Sequence, residues 1–154
     1  MSRAFVKELE AETIDLPDRP VSPHPNFVTE AGRLAIETAL HRFEAALKAA
    51  VAKGDERAAA AVLREIRYWS SRLASAQVVK PSVDYSRAHF GARVTVRRND
   101  GREQTFRIVG EDEANPSRGT ISHVAPLARA VIGHAVGDVV EIAGQEAIIL
   151  QINA

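Results

Sequence analysis

A chain of 154 residues, 45% apolar, with 20 basic and 20 acidic side chains and no cysteine, is long enough for one ordinary domain or two small ones. The even charge argues against a protein held on DNA or RNA mainly by neutralised phosphates, and the missing cysteines exclude disulfides, thiolate zinc sites and cysteine nucleophiles. No apolar run approaches the ~20 residues of a membrane span, and the opening run, Met1 to Lys7, soon gives way to acidic residues and has no apolar core of a signal peptide, so the chain reads as soluble and cytoplasmic.

Residues 1–26 form the first segment. Pro17, Pro20, Pro23 and Pro25 crowd its end, and hydrophobic periodicity is weak. Such a stretch predicts an extended leader. Arg3, Lys7 and Arg19 face Glu8, Glu10, Glu12, Asp15 and Asp18, leaving it slightly acidic. It is either a solvated tail or an arm that packs on a neighbour in a complex.

Residues 27–79 carry a helical pattern. Thr29 is a plausible N-cap, although Gly32 stands where a capping box wants an acidic residue. Ile36, Leu40, Phe43, Leu47 and Ala50 recur at heptad intervals, and so do Ala59, Val62, Ile66, Trp69, Leu73 and Ala76. Lys53-Gly54-Asp55-Glu56 breaks the two stripes. The economical solution is an antiparallel helical hairpin in which each stripe buries the other. A first arm of about 25 residues would be ~37 Å long.

Pro81 ends the second arm, and the period changes. Residues 92–98 alternate, Asn99-Asp100-Gly101 signals a turn, and residues 104–110 return. An acidic loop, Glu111-Asp112-Glu113, leads to a short strand at 119–122. A short helix follows from Pro126, with Gly133 after its end. Residues 139–142 and 147–152 close the domain around a turn at Ala143-Gly144. The expected class is α+β: a coiled-coil hairpin, then an antiparallel sheet with one helix over residues 80–154.

Five runs in order carry a resemblance: Phe90 to Val96, Phe106 to Ala114, Gly119 to Ser122, Ala125 to Ala130, and Gly137 to Val140. Behind a helical hairpin, with Ser75-Ala76-Gln77 as its exit, they resemble the Gre-type transcription elongation factors over about residues 27–152. The leader is similar to one found on a subset of that family. The resemblance implies an FKBP-like C-terminal domain that grips the rim of the secondary channel of bacterial RNA polymerase. It implies a coiled coil that enters the channel. Acidic residues at the tip help to hold a second Mg²⁺ shared with the polymerase, which then cuts backtracked RNA; Mg²⁺ commonly takes one or two carboxylates plus water and phosphate oxygens. The resemblance assigns polymerase binding to Glu111, Asp112, Glu113, Pro126, Leu127 and Arg129, and the tip to Asp55 and Glu56. Nucleic acid is met only within the polymerase complex, with no small-molecule substrate and no membrane.

The chain departs from the family pattern at the tip. Gly54-Asp55 matches, but Ala58 stands where the family has a Glu, and Glu56 is at another offset. Against the cleavage factors of the family, with Thr29 and Ser75-Ala76-Gln77 as anchors, both arms also look roughly one heptad or more short, and a missing heptad withdraws the tip by ~10 Å. Shorter-armed relatives, such as the regulator of nucleoside diphosphate kinase, are thought to dock without stimulating cleavage. The leading expectation is therefore a polymerase-binding regulator that is not itself an enzyme and stimulates cleavage weakly or not at all. A working cleavage factor using Asp55 and a coiled-coil adaptor independent of polymerase are the alternatives. A prolyl isomerase needs a pocket rich in aromatics, and this half offers Tyr85, Phe90 and Phe106.

Several residues carry two readings. Asp55 is a metal ligand or the N-cap of the second arm. Glu56 is a ligand or a first-turn carboxylate favoured by the helix dipole. The acidic loop contacts polymerase or is solvated. Arg129 contacts the partner or caps its helix. Trp69 is a seam residue or a stacking platform. Arg57, Arg64, Arg67 and Arg72 meet phosphates or form a solvated flank. The five histidines lack helical pairing and cysteine partners, so they predict no metal site.

Overall fold

Two long helices follow from the two heptad stripes: α1, Glu30–Lys53, and α2, Glu56–Ser75. The computed structural model describes residues 16–154; the leader expectation for residues 1–15 lies outside them. Gly54 makes the turn with a φ of +66°. A two-residue strand, β1 (Phe27–Val28), precedes α1, and another, β2 (Gln77–Val78), follows α2. Phe27 pairs with Gln77 and Val28 with Val78. Helices joined by a tight turn at one end and by strand pairing at the other run side by side in opposite directions.

The described residues fall into two compact units. One holds residues 16–23 with 35–75, and the other holds 24–34 with 76–154. These borders differ from the expected divisions at 26 and 79. The start of α1 belongs with the sheet unit because its cap is built from that unit, and residues 16–23 belong with the helices.

Within the helical unit, Ile36 and Ala50 are buried, whereas Leu40, Phe43, Leu47, Val62, Ile66, Trp69 and Leu73 are half-buried. A two-helix seam leaves both flanks of each stripe open. Ile36→Ala should therefore cost about 2–4 kcal/mol, and Leu40→Ala or Ile66→Ala about half as much. Urea melts followed by far-UV circular dichroism check the order; equal losses at Ile36 and Ile66 would contradict it.

Residues 16–23 lie on the second arm. The Arg19 guanidinium donates to Glu65 at 2.7 Å and sits 3.7 Å from the centre of the Tyr68 ring. Arg67 donates to Asp18 at 2.6 Å. Arg72, expected on a solvated flank or at phosphates, is 1% exposed. It precedes Leu73 at the edge of the stripe, where a long apolar stem can be covered.

The sheet unit contains β3 (Arg93–Arg98), β4 (Glu103–Val109), β5 (Thr120–Ser122), α3 (Pro126–Val131), β6 (Val139–Ile142) and β7 (Gln145–Asn153). The strand order is β5-β4-β3-β7-β6. The sheet is mixed where an antiparallel one was expected: β5 runs parallel to β4, and the other neighbours are antiparallel. The acidic loop and a 3₁₀ turn at Pro116–Arg118 carry the chain back before β5, and a parallel neighbour requires such a return. Val94, Val96, Phe106, Ile108, Val140 and Ile149 point inward and pack with Ala128 and Val131 of α3.

Two turns hold the register. Asp100 accepts the Arg102 N–H at 3.0 Å, and this bond holds its carboxyl below the usual range. That contribution is present above the ordinary carboxylate pKa and is lost as pH falls through the lowered one. Between β6 and β7, Ala143 and Gly144 have φ values of +51° and +78°, as the tight two-residue hairpin turn demands. Alanine tolerates this region poorly. Ala143→Asn should raise stability by about 0.5–1 kcal/mol, and an unchanged or lower urea midpoint would count against it.

Candidate functional site

The acidic loop divides by role. Glu113 turns inward. Its carboxylate accepts the Thr29 N–H at 2.9 Å and the Gly110 N–H at 3.3 Å, and it also accepts the Thr29 hydroxyl. The Thr29 hydroxyl in turn accepts the Gly32 N–H at 2.9 Å. In a capping box, the N-cap side chain bonds the third N–H of the helix and the third residue's carboxylate returns to the N-cap N–H. Here Gly32 has no carboxylate to offer, and Glu113 supplies it from 84 residues away. A Cβ on Gly32 would land on that carboxylate, so the glycine is the space the loop needs. Glu113 thus has an internal role beside the binding role expected of it, while Glu111 and Asp112 are half-buried in the same turn.

An aromatic cluster adjoins this loop. The Phe27 and Phe90 rings meet edge-to-face at 6.3 Å, and His123 lies 5.4 Å from Phe27 and 5.6 Å from Phe90. Phe106 is in the sheet core. A groove of about 580 Å³ is lined by Thr29, Tyr85, His89, Arg107, Val109 and Glu113, among others. Of the three aromatics weighed for a proline pocket, only Tyr85 lines it.

On α3, Pro126 occupies the first turn and is exposed, and Leu127 packs against the core. Arg129 is exposed, its guanidinium 3.4 Å from His24 Nε2. Pro126 and Arg129 are therefore exposed, whereas Asp112, Glu113 and Leu127 are half-buried.

At the tip, Asp55 Oδ1 accepts the Ala58 N–H at 3.0 Å. Asp55 is thus the N-cap of α2, and Glu56 is an exposed first-turn carboxylate. Among the described residues, no group of three or more His, Cys, Asp or Glu is placed to hold a metal. One oxygen of Asp55 is committed to the cap, and Ala58 offers no side-chain oxygen. Asp55 and Thr29 are legible in the sequence as caps, whereas Glu113 is not legible as the partner of Thr29. The missing acidic residue at position 32 was the only signal.

Residues 83–153 match the family model described as transcription elongation factor, GreA/GreB, C-term. The chain is 44% identical over 77 residues to the transcription elongation factor GreB of Neisseria meningitidis serogroup B, covering 49% of this chain and 47% of that protein. It is 35% identical over 135 residues to the GreA of Maricaulis maris, covering 75% and 86%. The chain spans about half the length of the relatives it matches at 44–47% identity. Among solved structures, GreA factor homolog 1 of Thermus thermophilus aligns over 85% of this chain and 100% of its own, with 20% identity and a TM-score of 0.40. The GreA/GreB factor of Nitrosomonas europaea aligns over 84% and 99%, with 18% identity and a TM-score of 0.41.

Proposed function

The chain belongs to the GreA/GreB family of transcription elongation factors, and from that membership we propose that it binds RNA polymerase at the secondary channel and regulates elongation without strongly stimulating transcript cleavage. The observation that carries the second half is the tip: Asp55 caps α2 through the Ala58 N–H, and Ala58 has no oxygen where the family has its Glu. In this reading the protein is cytoplasmic and performs no chemistry of its own. Any Mg²⁺ at work belongs to the polymerase. The sheet domain, FKBP-like by resemblance, grips the channel rim through Asp112, Pro126 and Arg129, with Glu111 beside them. The helical hairpin occupies the channel.

Binding of the full chain to core polymerase tests the docking half. Asp112→Lys should weaken it by ~5-fold, since one rim ion pair is worth up to ~1 kcal/mol and the reversed charge adds repulsion. Added salt should narrow the difference. Failure of the parent to bind core polymerase would leave the adaptor reading in its place.

A further inference from the structure

We propose that the outer face of the sheet holds a phosphoanion between Arg93, Arg107 and Arg118. These side chains, with Thr105, Gly119 and Thr120, line a concavity of about 250 Å³.

The register creates the site. Arg93 on β3 stands directly opposite Arg107 on β4, and Arg107 stands opposite Thr120 on β5. Because Val94, Val96, Phe106 and Ile108 are buried, alternation sends Arg93 and Arg107 to the other face. The Thr95 and Thr105 hydroxyls meet at 2.9 Å on the next row, so side chains of this face do touch across the two strands. Arg118 reaches the same concavity from the 3₁₀ turn before β5.

Directly opposed like charges destabilise a sheet pair. Elsewhere on this hairpin the matching is ordinary: Arg97 faces Glu103, and Arg98 donates to Gln104 at 3.1 Å. None of Arg93, Arg107 and Arg118 makes an ion pair with a carboxylate among the described residues. Arg107 Nη1 donates to the Gly91 carbonyl at 2.9 Å, which fixes its plane and leaves its other donors for a ligand.

Three guanidiniums call for more charge than one carboxylate supplies. A phosphate group carries roughly −1.5 to −2 charges and three acceptor oxygens, and the guanidinium fork matches that geometry. The same chemistry occurs on a free oligophosphate and along a nucleic-acid backbone. The residues lining this site are none of those assigned to polymerase binding or to the tip, and the site does not depend on the polymerase reading.

The test uses the full chain at low salt, titrated calorimetrically and by thermal melting with inorganic tripolyphosphate and, separately, with a short single-stranded oligonucleotide. Saturable binding should raise the melting temperature, and Arg93→Gln and Arg118→Gln should each weaken it by about tenfold or more. Arg97→Gln, which faces Glu103, should leave it unchanged. Without any anion, Arg93→Gln should melt higher than the parent, because the opposed charges are gone; a purely structural arginine would give the opposite sign. Tighter binding of tripolyphosphate assigns the site to free phosphates, and tighter binding of the oligonucleotide assigns it to a strand. No saturable binding of either probe, or equal binding by parent and both variants, overturns the proposal.

Discussion

Glu113→Ala should destabilise the protein by about 2–3 kcal/mol, and adding Gly32→Glu to the same chain should restore most of the loss. The carboxylate accepts two backbone N–H groups and a hydroxyl. Charge-assisted bonds of this kind are worth more than neutral ones, and losing a helix cap alone costs about 0.5–2 kcal/mol. Gly32→Glu by itself should also destabilise, because its Cβ would displace the Glu113 carboxylate. In the double variant, position 113 is small and position 32 carries the local capping-box carboxylate. A first-turn glycine is also replaced by a residue with less backbone freedom to lose on folding. Two destabilising changes should therefore combine into a nearly neutral one. Urea unfolding of the four proteins measures this, with amide exchange at residues 30–33 reporting on the cap itself. If the double variant is no more stable than Glu113→Ala, the long-range capping box is not what holds the start of α1.

This pair also marks the limit of what could be read in the sequence. Thr29 was legible as an N-cap because its chemistry is local. The vacancy at Gly32 was legible too, but its filling comes from the far side of β4, and no periodic signal links positions 32 and 113. Local and periodic features transferred well: the two helices ended within a residue or two of the turn at Gly54, and the strand at 139–142 appeared where alternation put it. Heptads gave the stripe but not its depth of burial, because they cannot say what covers the flanks. Thus Ile66 is half-buried, while Arg72, one residue off the stripe, is fully covered. The direction of β5 was not legible either, since three residues pair equally well in both senses and only the return of the chain after Val109 decides it. For Asp55 both readings were visible in the sequence, and the Ala58 N–H identifies the cap.

In a backtracked elongation complex supplied with Mg²⁺, the protein should leave the yield of short 3′ RNA products near that of polymerase alone. A carboxylate that held a second metal would change the rate by orders of magnitude, so the assay separates the readings widely. Both the reach of the arms and the donor set at the tip oppose cleavage. The arms have 24 and 20 residues, roughly 36 and 30 Å at 1.5 Å per residue, and a direct metal bond does not stretch by several ångströms. The donor set is also incomplete: Asp55 commits one oxygen to the Ala58 N–H, and Glu56, one residue on, does not replace a ligand three residues on, because neighbouring helix positions face different ways. Asp55→Asn is the decisive variant. Asparagine caps helices about as well as aspartate, so folding is retained while the charge is lost. The expected result is that parent and Asp55→Asn both match polymerase alone, and that both displace a cleavage-competent family member. Ala58→Glu separates the two arguments: no gain means reach is limiting, and a gain means the missing oxygen was. Strong cleavage by the parent that Asp55→Asn abolishes would make this protein a working cleavage factor, with the capping aspartate serving as its metal ligand.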